Sequence, residues 1–227
     1  AYAQMLNGSK PEEFADLNRI VNAEPKRPLY NAYSAVLKIS EGKYLEALSF
    51  SITANELDPG HASAYLSRAE IYIHFGLDAS AKEILGATMG LDIPTAGDYI
   101  NRGQLFAFLG EEDLANLDLD EAIRINPKNA SFYTARGKVH VSRGDFDSAL
   151  DDFNSAVRLD PAKGEYLVNR GVLYEIKGMT QDSVADLAVV LAGDLAYLPP
   201  VEDRDADYFE VYKPITAPNS RPRDIIK

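Results

Sequence analysis

The chain contains no cysteine. Disulfides, thiolate metal sites and cysteine nucleophiles are therefore excluded, while the compartment stays open, because cysteine-free chains occur in cytosol and periplasm alike. Nor is there any run of about 18 or more apolar residues, the length a membrane-crossing helix needs. Basic residues are scarce: 23 Lys and Arg stand against 35 Asp and Glu, for a net charge of -12. Nucleic acid and anionic membrane surfaces are poor ligands for such a chain, since phosphate binding needs clustered cations. Histidine is limited to His61, His74 and His140, which share no common phase and are not expected to converge. The zinc-protease, phosphate-loop, nucleophile-elbow and calcium-loop motifs are all missing. The densest carboxylate group, Glu111, Glu112, Asp113, Asp118, Asp120 and Glu121, reads as helix surface. No catalytic residue, metal ligand or cofactor is expected.

What the chain has is a period. Gly8, Gly42, Gly76, Gly110, Gly144 and Gly178 stand 34 residues apart, and Pro25, Pro59, Pro127 and Pro161 keep the same step, with Pro94 one residue late. A fixed period of this size marks stacked repeats whose core is shared between neighbours. Aligned on the glycines, the repeats are 28–61, 62–95, 96–129, 130–163 and 164–197, with 1–27 as the end of a preceding one. Within 130–163, Tyr133, Arg136, Gly137 and His140 have helical spacing. After Gly144, which readily takes positive φ, the residues Phe146, Ala149, Leu150, Phe153, Ala156 and Val157 recur on one helical face. Each repeat is thus expected to be two antiparallel helices, A and B, closed by a proline. Gly103, Gly137 and Gly171, with Ala35 and Ala69 in the same place, should let helices approach closely. Ala47, Ala81, Ala115 and Ala149 should do the same in helix B, and Leu57, Leu91, Ile125 and Leu159 should bury at the junction with the next unit.

The order Tyr99, Gly103, Phe106, Gly110, Ala115, Leu119, Ala122 and Pro127, repeated in phase over about residues 1 to 192, resembles the tetratricopeptide repeat (TPR) family. The resemblance implies an all-α fold, a right-handed α-solenoid of stacked antiparallel helix pairs with about five full repeats and a partial N-terminal one. It implies protein or peptide binding rather than catalysis. The second repeat departs from the pattern at Thr88 and Pro94. The fifth departs at Ser183 and Val190, so 164–192 is expected to be irregular.

In TPR proteins the A helices line a concave groove. Carried over, that groove comprises Tyr33, Val36, Ile39, Glu70, Ile73, His74, Ile100, Asn101, Gln104, Phe108, Lys138, Val141, Val172 and Ile176, with Thr134, Val168 and Asn169 beside them. The subset of the family that grips a C-terminal carboxylate uses Lys, Arg and Asn at set positions. Here those places hold Ala32, Val36, Ser67, Gly97 and Asn101, so that activity is not expected. An apolar wall suits a peptide anchored by hydrophobic side chains. The alternative is a structural or oligomerisation module whose groove is filled by its own tail or a sister subunit.

A second ladder joins Arg68, Arg102, Arg136 and Arg170 in helix A to Asp118, Asp152 and Asp186 in helix B. Pairing within repeats accounts for all three aspartates and leaves Arg68 facing Ile84, so Arg68 needs another acceptor or solvent. From Gly193 the phase is lost. Pro199, Pro200, Pro214, Pro218 and Pro222 block a continuing helix, yet Tyr197, Leu198, Tyr208, Phe209, Val211, Tyr212 and Ile215 are too apolar for a solvated linker. Residues 193–227 read as a cap over the last helix pair or a strap into a groove. The opening Ala-Tyr-Ala-Gln is compatible with a removed leader, hence a cytoplasmic or, after leader removal, a periplasmic or secreted location.

Overall fold

The computed structural model describes residue 24 and residues 26–93 and 95–193. The tail and the partial first repeat lie outside these residues. The described residues contain ten α-helices and no strand. The helices are α1 Pro28–Ser40, α2 Tyr44–Leu57, α3 Ala62–His74, α4 Asp78–Ala87, α5 Ala96–Phe108, α6 Glu112–Ile125, α7 Ala130–Ser142, α8 Phe146–Leu159, α9 Gly164–Ile176 and α10 Thr180–Gly193. Odd-numbered helices are the A helices and even-numbered ones the B helices. The chain divides into two compact units at the glycine turn of the third repeat, between Leu109 and Gly110. In unit 1, α1 packs on α2, α2 on α3 and α3 on α4, while the A helices α1, α3 and α5 also pack in that order. In unit 2, α6 packs on α7, α7 on α8, α8 on α9 and α9 on α10, and the A helices α7 and α9 touch.

The expected glycine turn is present at all five described positions, with φ between 73° and 76°. At Gly144 the amide donates to the carbonyl of Val141 at 3.0 Å, and the next amide, from Asp145, reaches back to His140 at 2.9 Å. This pair of bonds satisfies carbonyls that the helix end would otherwise leave open, and it requires the left-handed conformation at the glycine. The close approach predicted at Gly137 is equally direct. A Cβ there would meet the Phe153 ring at 2.6 Å, so the phenyl group of α8 closely approaches the backbone of α7. Phe153 belongs to a core with Ala149 and Leu173, flanked by Val141, Phe146 and Leu150. Ala47, Ala81, Ala115 and Ala149 are fully buried, as their small size suggests.

Two expectations need revision. Leu57, Ile125 and Leu159 do not bury: they are 40%, 45% and 38% exposed. Each is the last residue of its B helix. The buried stripe ends two or three residues earlier, at Asn55, Ala122 and Ala156, and the chain then leaves the helix in non-helical geometry at Asp58, Asn126 and Asp160. No further turn covers the large side chain. Secondly, the irregular fifth repeat forms the same hairpin as its neighbours. Val190 is buried against Leu167 and Val168, and its methyl carbons lie 3.5 and 3.7 Å from where a Cβ on Gly164 would be. The glycine makes room for the larger residue that replaces alanine. The second repeat, which departs from the pattern at Thr88, does lose regularity there. α4 stops after ten residues and continues as a 3₁₀ turn, Thr88–Gly90.

Candidate protein-interaction surface

The arginine–aspartate ladder frames the A helices. In unit 2, Arg136 donates from Nε and Nη2 to the two carboxylate oxygens of Asp152 at 2.9 and 2.6 Å. Arg170 holds Asp186 in the same fork, at 2.7 and 2.7 Å. These are the intra-repeat pairs expected, and both aspartates are buried. Planar bidentate geometry of this kind fixes orientation as well as charge. The hydrogen bonds it donates to Asp152 hold the Arg136 guanidinium firmly protonated, with its pKa pushed up against the cost of burial. Arg170 is raised for the same first reason, its bonds to Asp186.

A second set of acceptors lies outside these intra-repeat pairs. Arg136 Nη1 donates to Asp120 at 2.6 Å, and Arg170 Nη1 to Asn154 at 3.0 Å. Asp120 and Asn154 occupy one register of the preceding B helix, so each arginine ties its own hairpin to the one before. The remaining predicted pair, Arg102–Asp118, has its members in different units. Within unit 1, Arg102 donates to the carbonyl of Thr88 at 2.8 Å and its Nη1 lies 3.2 Å from the Thr88 hydroxyl. The arginine thereby closes the broken end of α4, and Thr88 replaces alanine where that acceptor is needed. Among the described residues, Arg68 finds no carboxylate. Its guanidinium lies 6.0 Å from the ring of Tyr65 and 5.9 Å from that of Tyr72, and its buried Nε makes no hydrogen bond among the described residues. The cation is held by aromatic faces instead.

Against this frame the expected groove residues divide between the units. Tyr33, Val36, Ile39, Glu70, Ile73, His74, Ile100, Asn101, Gln104 and Phe108 stand on α1, α3 and α5, and all are at least partly exposed. Val36, Glu70 and Gln104 share one register of three helices packed in sequence. His74 leans away from the others, stacking on Tyr44 of α2 with ring centres 3.6 Å apart. In unit 2, Lys138 and Ile176 are exposed, whereas Val141 and Val172 are partly covered by core side chains. Thr134, Val168 and Asn169 are buried, so the wall loses them as contact residues. Lys138 is not isolated either: Glu165 lies 4.0 Å from its ammonium group.

The histidines stay apart within unit 1, where His61 and His74 stand at opposite ends of α3. His140, in unit 2, lies 3.6 Å from Asp145 and 3.8 Å from Asp152. No group of three or more metal-ligating side chains occurs among the described residues, and no described helix is long and apolar enough to cross a membrane.

With the paired helices, the glycine turns and the small-residue contacts in place, the comparison with known families is decisive. Residues 100–163 and 134–194 match the tetratricopeptide repeat family. Residues 100–194 carry tetratricopeptide repeats. Solved TPR structures share the fold. One is YrrB, a TPR protein described as having an unusual peptide-binding site, at 20% identity and TM-score 0.59, covering 80% of this chain and 93% of that one. Another is MamA, at 24% identity and TM-score 0.59, covering 70% and 93%. A third is a chain of the APC/C Cut9–Hcn1 hetero-tetramer, at 19% identity and TM-score 0.66, covering 85% of this chain and 38% of that one. No curated protein matches the sequence. The TPR fold is that of a protein–protein interaction scaffold.

Proposed function

We propose that the chain is a non-enzymatic adaptor that binds a protein segment on the A-helix face of unit 1. The observation that supports this most is the row of Tyr33, Val36, Ile39, Ile73, Ile100 and Phe108. These are apolar or aromatic side chains on three helices packed in order, all open in part to solvent. Ile39 and Ile73 share one register and the others stand within two turns of it, and an apolar surface spread over adjacent helices suits an extended or helical segment anchored by hydrophobic residues. Exposed apolar surface of this kind on a globular chain is commonly an interaction site.

The test is a selection of linear peptides from a random library on the full chain. Binding is then measured to Ile73→Glu and to Leu117→Glu, the latter a control at a strongly exposed leucine of α6 in unit 2. The expected result is binding abolished by the first change and untouched by the second. Equal loss from both, or from neither, overturns the reading.

The second reading, a module that covers apolar surface on itself or on a sister copy, draws on α10. There Val184 and Val189 are 60% and 58% exposed, and Leu191 is open as well. If that reading holds, ending the chain after Gly193 raises the self-associated fraction in sedimentation, while Ile73→Glu changes nothing.

A further inference from the structure

We propose that the A-helix face of unit 1 selects a segment carrying a lysine or arginine among apolar side chains, and that Glu70 receives the cation. The proposal rests on that face being the binding surface and names the chemistry it reads. Glu70 sits on α3, partly buried, at the same register as Val36 on α1 and Gln104 on α5. Leu66, one turn before it, is fully buried, and Ile73, one turn after it, is partly buried. Among the described residues, Glu70 makes no hydrogen bond and no ion pair. A carboxylate partly withdrawn from water with no counter-charge beside it is left with its strongest interaction unmade, whereas the more deeply buried Asp152 and Asp186 of unit 2 each hold an arginine in a fork.

The cations of unit 1 that stand on α1 and α3 are committed elsewhere. Lys38 is bound to Glu41 at 3.0 Å and lies 3.6 Å from Glu46. The Arg68 guanidinium lies by the rings of Tyr65 and Tyr72. The imidazole of His74 is stacked on Tyr44. The charge that Glu70 lacks therefore has to come from outside this set. Burial alone holds the Glu70 carboxyl above its ordinary pKa, as expected for an acid waiting in an apolar setting for its partner. The side chains around that register define the rest of the ligand. Val36, Ile39, Ile73 and Ile100 take apolar groups, and the Gln104 amide can bond a peptide group. A lysine or arginine fits because its long apolar stem lies along such a strip while its head reaches the carboxylate. The net charge of -12 adds a long-range pull on a basic partner.

The experiment repeats the random-peptide selection on the full chain and on Glu70→Gln and Glu70→Lys. The wild-type pool is expected to converge on Lys or Arg at one position between apolar residues. A peptide from that pool should lose about tenfold or more in affinity on Glu70→Gln, the scale of one charge-assisted hydrogen bond. Replacing its basic residue by norleucine should cost the same factor on the wild type and nothing on Glu70→Gln. Glu70→Lys should select Asp or Glu at that position, a reversal that a merely misfolded variant would not give. Peptides that need Ile73 but carry no basic residue would overturn the role of Glu70 and leave the binding face standing. Failure to select any peptide sensitive to Ile73→Glu would overturn the face, and this proposal with it.

Discussion

At the turn edge of the hairpins, unit 2 sets Arg143 against Asp113 at 2.7 Å and Lys177 against Asp147. Two repeats earlier, the registers of Arg143 and Asp113 hold Phe75 and Leu45, and the tie is aromatic: Phe75 packs edge-on against Tyr44, with ring centres 6.0 Å apart. The same contrast runs through the arginine ladder. Unit 2 has complete forks at Arg136 and Arg170, each with a second acceptor on the preceding helix. Unit 1 has an arginine between tyrosine rings and another closing a broken helix end. One repeat geometry thus tolerates two chemistries. The polar version fixes orientation by paired charges. The apolar version leaves large side chains open, with Leu45 at 75% and Leu77 at 50% exposure, on the unit whose A helices carry the proposed binding face.

The largest expected effect breaks the polar version. Arg136→Ala leaves Asp152 buried with its fork removed, and the uncompensated charge should cost about 3 kcal/mol or more of stability. Arg68→Met, its counterpart in unit 1, should be close to neutral or stabilising, because it abandons no carboxylate and removes an unbonded Nε. Denaturant titration of the two variants measures the gap, and equal losses would erase the distinction between the units.

A smaller effect concerns Glu70. Its folded-state pKa is raised by burial, so ionising it opposes folding. That opposition is complete above the folded-state value and gone below the ordinary glutamate value. Glu70→Gln should therefore stabilise the chain at neutral pH by less than about 2 kcal/mol. The gain should shrink as the pH falls through the folded-state pKa and vanish below the unfolded one. Stability curves at several pH values check this, and a gain that grows toward acid would have the wrong sign. A residue that costs stability where it stands invites a functional reason for its presence.

The smallest effect would convert one edge into the other. Leu45→Asp with Phe75→Lys installs the unit 2 pair in unit 1. As an exposed ion pair its coupling should be no more than about 1 kcal/mol and should fade with salt. A double-mutant cycle at low and high ionic strength reads it directly.

Much of the fold was legible because the repeat averages over its own exceptions. Five glycines in phase left one backbone solution, and the spacing of Arg136 to Asp152 and of Arg170 to Asp186 identified both forks. The second acceptors, Asp120 and Asn154, also lie one period apart, but they fall on the preceding helix, where one is a carboxylate and the other an amide, so the pattern of charge alone does not mark them. The pairs Arg143–Asp113 and Lys177–Asp147 recur in phase between neighbouring repeats. Leu57, Ile125 and Leu159 misled because an apolar residue in phase reads as core, while burial also requires a following turn to cover it. The end of α4 depends on Arg102 reaching the Thr88 carbonyl, a bond between elements that no local pattern encodes. For the proposed binding face, the sequence supplied the candidate registers. It did not show that Thr134, Val168 and Asn169 would bury, nor that Glu70 would stand without a counter-charge.

The division of labour between the units is tested most directly by amide hydrogen exchange of the full chain, with and without a basic peptide selected on it. The expected result is added protection in α1, α3 and α5, centred on the turns around Val36, Glu70 and Gln104, with α7 to α10 unchanged. Protection gained in α7 and α9 and none in α3 would contradict it.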